Sequence, residues 1–284
     1  MKFKLKALVA AVVLSATAMS ANADISTNNG NSEFVFSAFD ADAGVGYTYD
    51  LNWDKFLNDL VGIDQATTTS GNNTLLANAK VGSSLIGSNG VIFDDVLTGL
   101  AFAGGSVANA QWNLAAFDSV GRTRLLITQD ANGLAHTPSN NQEKAAVTIL
   151  NAYVPASNGF IVTPATDGYA LTTAGDLAAY AGNSGASYNG NLSDTTNTFG
   201  ATSNLYFLAQ TTQSSSAAAS FVQQLTSVDG VAVTAKTYFL NNEWRLQIAA
   251  VPQIAPIPEP ETYAMLLAGL GLVSAIARRR NKQA

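Results

Sequence analysis

Short runs of β-branched and aromatic residues alternate along this chain with stretches of Asn, Thr, Ser, Gly and Ala, the pattern of strands joined by polar turns. Residues 33–40 (E-F-V-F-S-A-F-D) read as a strand and residues 46–51 (G-Y-T-Y-D-L) as its hairpin partner, with turn residues between them. Trp53, Phe56, Leu57 and Leu60 then fall at i, i+3, i+4 and i+7, an apolar helical stripe with Asn52 placed as its N-cap. A second unit follows the same plan. Residues 111–117 and 122–129 form a hairpin, and Ala145, Ile149 and Tyr153 mark a helix starting near Asn141. The tripeptides Ala38-Phe39-Asp40 and Ala116-Phe117-Asp118 occupy matching places, which an internal duplication or convergence on similar turns would both produce.

Further along, residues 183–204 are rich in Asn, Gly, Ser and Thr and predict a long exposed loop. A strand is expected at 205–209 and a helix at 214–225. Residues 236–240 (K-T-Y-F-L) and 243–248 (E-W-R-L-Q-I), separated by Asn241-Asn242, alternate as a two-residue hairpin should. Residues 250–257, with Pro252 and Pro256, form an extended linker. The expected body, 24–249, is thus one mainly β domain with a few helices, its antiparallel hairpins packed in a sandwich-like arrangement.

Both ends depart from that pattern. Lys2, Lys4 and Lys6 precede an apolar run from residue 7 to about 18, and Ala21-Asn22-Ala23 supplies the small-x-small site of a secretory signal peptide. The apolar run is about a dozen residues, well short of the roughly 20 that span a bilayer. Cleavage after Ala23 leaves Asp24 as the first residue. At the other end Pro258-Glu259-Pro260 precedes an apolar segment, 262–277, and the cluster Arg278-Arg279-Arg280. Sixteen helical residues rise roughly 24 Å against a hydrocarbon core of roughly 30 Å. Snorkelling arginines and an interfacial Tyr263 can make up the difference, and the arginines keep their flank cytoplasmic, so the body lies outside.

This order of Pro-Glu-Pro, short apolar helix and basic cluster resembles the PEP-CTERM sorting signal of Gram-negative bacteria. The resemblance covers residues 258–280, with P-E-P-E-T-Y-A-M-L-L-A-G-L following the family pattern closely. It implies an inner-membrane precursor, recognised by an exosortase after signal peptidase has acted, and a mature protein at the cell surface or outside the cell. Carriers of such tails are mostly proteins of biofilm-forming, exopolysaccharide-producing bacteria, and some bind ice.

Composition narrows the chemistry of the body. There is no cysteine, so the fold has no disulfide and no thiolate zinc site, and His136 is the single histidine. Of 14 Lys and Arg, Lys2, Lys4, Lys6, Arg278, Arg279, Arg280 and Lys282 lie in the ends, leaving seven. Of 20 Asp and Glu, only Glu259 and Glu261 lie there, leaving 18 and a body of about −11. Such a surface repels nucleic acid and anionic lipid.

Five constellations are candidates for chemistry. Asp40, Asp42 and Asp50, with Asp54 nearby, are the densest carboxylates, and Asp40-x-Asp42-x-Gly44 is similar to the start of a calcium loop. The closing glutamate of such a loop is replaced by Leu51, which favours solvated turn aspartates and no cofactor. Asp94-Asp95 and Asp118 offer carboxylates for a glycosidase pair, although Asp-Asp before an apolar run also suits a helix N-terminus. His136 precedes Thr137-Pro138 in a turn, and no G-x-S-x-G elbow accompanies it. Residues 67–69 and 195–198 are threonine-rich but lack the constant T-x-T period of an ice-facing array. Tyr47, Tyr49, Trp112 and Trp244, if exposed, would stack on sugar rings; as cross-strand or core residues they would only pack. The chain reads as a non-enzymatic exported matrix protein. A polysaccharide-active enzyme and an ice-binding or adhesion protein are the alternatives.

Intact-mass analysis of the exported protein should give Asp24 as the N-terminal residue. Recovery of material that still begins at Met1 would overturn the signal-peptide assignment.

Overall fold

The computed structural model describes residues 25–28, 31–51, 53, 55, 57–63, 76–100, 107–129, 137–162, 168–183, 192, 195–212 and 216–250. Contacts divide the chain into residues 1–251 and 252–284, and all described residues belong to the first unit. Among the described residues no helix is long and apolar enough to cross a membrane. The segments assigned from sequence to the signal peptide and to the apolar helix 262–277 lie outside them.

The body is mainly β, with few helices. Its ten principal strands are β1 (Val35–Asp40), β2 (Val45–Asp50), β3 (Val91–Val96), β4 (Gln111–Asp118), β5 (Arg124–Gln129), β6 (Ile161–Val162), β7 (Tyr169–Thr173), β8 (Thr202–Ala209), β9 (Thr234–Leu240) and β10 (Glu243–Ala249). They form one antiparallel sheet in the order β3-β10-β9-β8-β5-β4-β1-β2-β7-β6. Short strands at Thr27–Asn28, Asn31–Ser32, Asn197–Thr198 and Phe221–Gln224 attach to it. The three hairpins expected from sequence are present as β1–β2, β4–β5 and β9–β10. In the last, Asn241 and Asn242 both take positive φ, 52° and 68°. That is the backbone of a type I′ turn, which matches the twist of the flanking strands.

The sandwich-like packing comes from a single sheet that curls. β2 and β3 are seven strand spacings apart in the order, roughly 34 Å at about 4.8 Å each. Yet Tyr47 Oη on β2 donates to the Thr98 carbonyl beyond β3 at 2.8 Å, and Tyr49 Oη donates to Asp95 on β3 at 3.3 Å. The inner face carries Phe36, Tyr47, Tyr49, Trp112, Leu114, Leu126, Phe207, Leu246 and Ile248 in one buried cluster. Alternate residues of the central strands, among them Val35, Ala115, Phe117, Leu125, Ile127 and Leu208, pack in a second cluster on the outer face. Helix α1 (Leu57–Val61) caps the inner core with Leu57, Leu60 and Val61.

Helix α2 (Asn140–Asn158) covers the outer face. Ser139 caps it and forms a capping box with Gln142. Its buried row is Glu143, Ala146, Val147, Leu150, Tyr153 and Val154, so the stripe expected at Ala145, Ile149 and Tyr153 is rotated: Ala145 and Ile149 lie on the flank. Tyr153 Oη bridges Ser37 Oγ on β1, at 3.0 Å, and Thr48 Oγ1 on β2. Two expectations need correction. Residues 221–224 form a strand against β8, where a helix over 214–225 was expected. The polar stretch 183–204 supplies the strand Asn197–Thr198 beside β4 and the first residues of β8. In both places an unfilled sheet edge supplies backbone partners that local composition does not encode.

The first turns of α2 carry a buried polar hub. Asn140 Nδ2 donates to the hydroxyls of Thr211, Thr212 and Ser216, and its Oδ1 accepts from Thr211 N and Ser220 Oγ. Beside it Glu143 is fully buried. Burial pushes its carboxyl up to about 8, against the pull of Ser220, Thr123 and the Gln210 backbone. The native fold therefore holds this proton more tightly than the unfolded chain does. The stabilisation is full below the ordinary glutamate value and is lost as pH rises through about 8. The slope due to this one group approaches about 1.4 kcal/mol per pH unit between those limits. Urea midpoints should accordingly fall from pH 5 to pH 8, and Glu143→Gln should flatten that fall and raise the midpoint at pH 8. Equal pH dependence in the two proteins would show that Glu143 is not held neutral.

Candidate functional site

The inner core ends at a rim, and there the sheet leaves aromatic surface open. The β9–β10 hairpin and the segment after β3 enclose a cleft of about 470 Å³. Val96, Leu97, Thr98, Gly99 and Leu100 form one wall, and Phe239, Asn242, Glu243 and Trp244 the other. Phe239 and Trp244 are direct cross-strand partners, and the Leu97 N–H donates to the Trp244 carbonyl at 2.8 Å, tying the walls together.

An aromatic row leads from the core to this cleft. Trp112 stacks on Phe36 with ring centroids 5.7 Å apart, and Phe36 meets Phe199 edge-on at 6.4 Å. Phe199 meets Trp244 edge-on at 5.1 Å, and Trp244 lies 5.4 Å from Phe239. Along this row the side chains pass from fully buried Trp112 to Phe239, which is 56% exposed. Trp244 is half-buried, with Phe199 and Phe239 both packed against its indole. Neither Phe239 nor the wall from Val96 to Leu100 was singled out from sequence. The alternation K-T-Y-F-L/E-W-R places Phe239 and Trp244 on one face, but not that this face passes beyond the core.

The other wall depends on a close approach. Gly99 has φ of +70°, and a Cβ there would lie 2.2 Å from the Tyr169 ring. Tyr169 on β7 in turn stacks on Tyr47 at 6.0 Å.

On the opposite face of the same strands, Asp94 accepts from Tyr238 Oη at 2.7 and 2.8 Å, Arg245 Nε at 2.9 Å and Gln247 Nε2 at 2.6 Å. Burial alone would raise its pKa, but the hydrogen bonds from Tyr238, Gln247 and Arg245, with the Arg245 charge, hold the carboxyl below its ordinary value. Asp94 and Asp95 thus sit in strand β3, not at a helix N-terminus. Asp118 is sealed inside, paired with Arg124, whose Nη1 also donates to the Ile63 carbonyl at 2.9 Å. Of the three carboxylates proposed for a glycosidase pair, Asp94 anchors a surface network, Asp95 accepts from Tyr49 Oη, and Asp118 is a buried ion-pair member. They do not face one another across a cleft.

The aspartates proposed for calcium are also separated. Asp40 Oδ1 accepts from the backbone N–H groups of Asp42 and Ala43 at 3.0 Å each, a turn stabilised by its own side chain. Asp50 pairs in register with Val35 at the far end of the hairpin, five residues or roughly 17 Å away, and is buried. Among the described residues no three His, Asp or Glu gather as a metal site. Tyr47, Tyr49 and Trp112 are wholly buried, leaving half-buried Trp244 as the one member of the aromatic set that reaches the surface. Thr195 and Asn197 are buried and Thr198 is exposed, so this stretch presents no flat threonine rank. Asp54, His136, residues 67–69, the cleavage residues Ala21 and Ala23, the motif Pro258-Glu259-Pro260 and the cluster Arg278-Arg279-Arg280 lie outside the described residues.

Gly99→Ala adds a methyl where the Tyr169 ring stands and forces a non-glycine residue into the left-handed region. Backbone strain and overpacking together should cost about 2–4 kcal/mol, read from urea unfolding. An unchanged midpoint would mean that Tyr169 does not pack on this wall.

No curated protein and no solved structure matches the chain. Residues 256–281 match the PEP-CTERM protein-sorting motif, which marks the chain as an exported precursor processed by an exosortase.

Proposed function

We propose that the protein is a non-enzymatic component of the extracellular matrix, sorted through an inner-membrane precursor to the cell surface or beyond, where it associates with exopolysaccharide in a biofilm. The sorting motif at 256–281, following a folded β body, carries this reading. The acidic, cysteine-free body suits a secreted protein whose stability comes from core burial. Two observations weigh against the rival reading of an aspartate-pair glycosidase. Asp94 is held ionised by Tyr238, Gln247 and Arg245, which opposes work as a general acid, and Asp118 is inaccessible within its pair with Arg124.

The tail is the part most open to test. Each proline in Pro258-Glu259-Pro260 fixes φ and biases the preceding residue away from helix, keeping this stretch extended for a protease. Glu259→Ala, or alanine at both 258 and 260, should leave an unprocessed, membrane-retained precursor. Asp→Asn changes at 40 and 42 should not. Membrane fractionation with an antibody to the body distinguishes these outcomes. Release of the tail variants at wild-type mass and efficiency would sink exosortase sorting. Deletion of the gene should reduce the exopolysaccharide retained by the biofilm, and unaltered retention would remove the matrix role while leaving the sorting intact.

A further inference from the structure

We propose that the rim cleft is a glycan subsite in which Trp244 stacks against the C–H face of a neutral sugar ring. The inference rests on the matrix reading above and names the polymer class that the body would hold.

Three observations converge on it. First, the Phe199 ring meets the Trp244 indole edge-on and the tilted Phe239 ring packs beside it, so little side-chain freedom remains to be lost when a ring docks from the cleft. Second, Phe239, which lines the cleft beside its cross-strand partner Trp244, is 56% exposed at the hairpin tip. Adjoining aromatic side chains open to a cleft mark an interaction surface, whereas scattered apolar ones do not. Third, exposed Asn242 and Glu243 stand at the same rim, offering an amide donor, an amide acceptor and a carboxylate acceptor. An aromatic plate edged by such groups complements a sugar, which has apolar C–H faces and a hydroxyl periphery.

Size and charge then select the class. A cleft of about 470 Å³ falls within the roughly 300–1,000 Å³ of small-ligand sites. A stable protein partner would need about 800 Å² of matching surface on each side, far more than this rim provides. An acyl chain would be left beside Glu243 and open water. Exposed Glu243 at the rim and a body of about −11 repel uronate- or phosphate-bearing polymers. The ligand is therefore a neutral hexopyranose polymer, weakly held at each ring and strengthened by repetition along the chain.

The test uses the mature exported protein in affinity gel electrophoresis, with a soluble β-glucan and dextran as neutral probes and alginate as the acidic one. At least one neutral glucan should retard the wild type, while alginate should not. Trp244→Ala should weaken retardation by about tenfold or more, the loss expected on removing a central aromatic anchor. Trp244→Phe should recover part of it. Because Trp244→Ala could disturb the hairpin, a second measurement uses unmodified protein: the bound glucan should protect Trp244 from N-bromosuccinimide oxidation, read by peptide mass. Absence of retardation by both neutral glucans, full binding by a folded Trp244→Ala variant, equal binding of alginate, or oxidation of Trp244 unaffected by bound glucan would each overturn the proposal. If binding fails while tail-dependent export persists, the subsite falls and the exported-protein reading stands. If binding holds while gene deletion leaves exopolysaccharide retention unchanged, the subsite stands and the matrix role falls.

Discussion

Tyr47 and Tyr49 reach across the inner core to the strand at the other end of the sheet, and that closure governs the rest of the body. An open antiparallel sheet of ten strands would leave its apolar inner face to water. Curling brings Leu246 and Ile248 from one end into the same buried cluster as Tyr47 and Tyr49 from the other. With no disulfide available, this burial is the main source of stability. The two phenol hydroxyls add directionality, since each buried oxygen must find a partner as the sheet ends approach. The closure also locates the cleft. Where the curl ends, the β9–β10 hairpin extends beyond the core and the aromatic row emerges at Trp244 and Phe239.

Curling creates an outer face as well, and α2 covers it. The central strands are buried on both sides, so β5 is inaccessible along its whole length. The fit of α2 is specified by polar contacts within an apolar surface. Tyr153 bridges β1 and β2, and burial raises its pKa to about 12, keeping the hydroxyl protonated and able to donate. Asn140 gathers hydroxyls from residues 211–220. Such groups are costly when buried without partners and modest in net worth when satisfied. Their effect here is to fix the position of the helix. Glu143 is the exception, a carboxyl kept neutral by burial.

Sorting and the proposed binding occupy different parts of the chain. The tail carries a linear sorting motif, whereas the body presents a three-dimensional surface. This separation is why a sorting motif can identify the destination of a protein while leaving its ligand to be argued from side-chain geometry.

The sequence by itself determined export, the mainly β class, the three hairpins, and a helix starting near Asn141. Each rests on short-range physics: a charge next to an apolar run, period-two alternation, paired asparagines that accept positive φ, apolar residues at helical spacing. Tertiary structure alone decided which aromatic residues are core and which are surface. Tyr47, Tyr49, Trp112 and Trp244 are alike in local pattern, and only the curl buries the first three and leaves the fourth at the rim. The aspartates were undecidable for the same reason. Asp40 and Asp50 look close along the chain, but a hairpin places its distant residues side by side and sends near neighbours to opposite ends. Asp118 is neutralised by Arg124, a partner across the β4–β5 hairpin, within a core that local sequence does not reveal. Local sequence specifies which backbone each segment prefers. Long-range pairing chooses what each side chain meets, and the chemistry of the site depends on that choice.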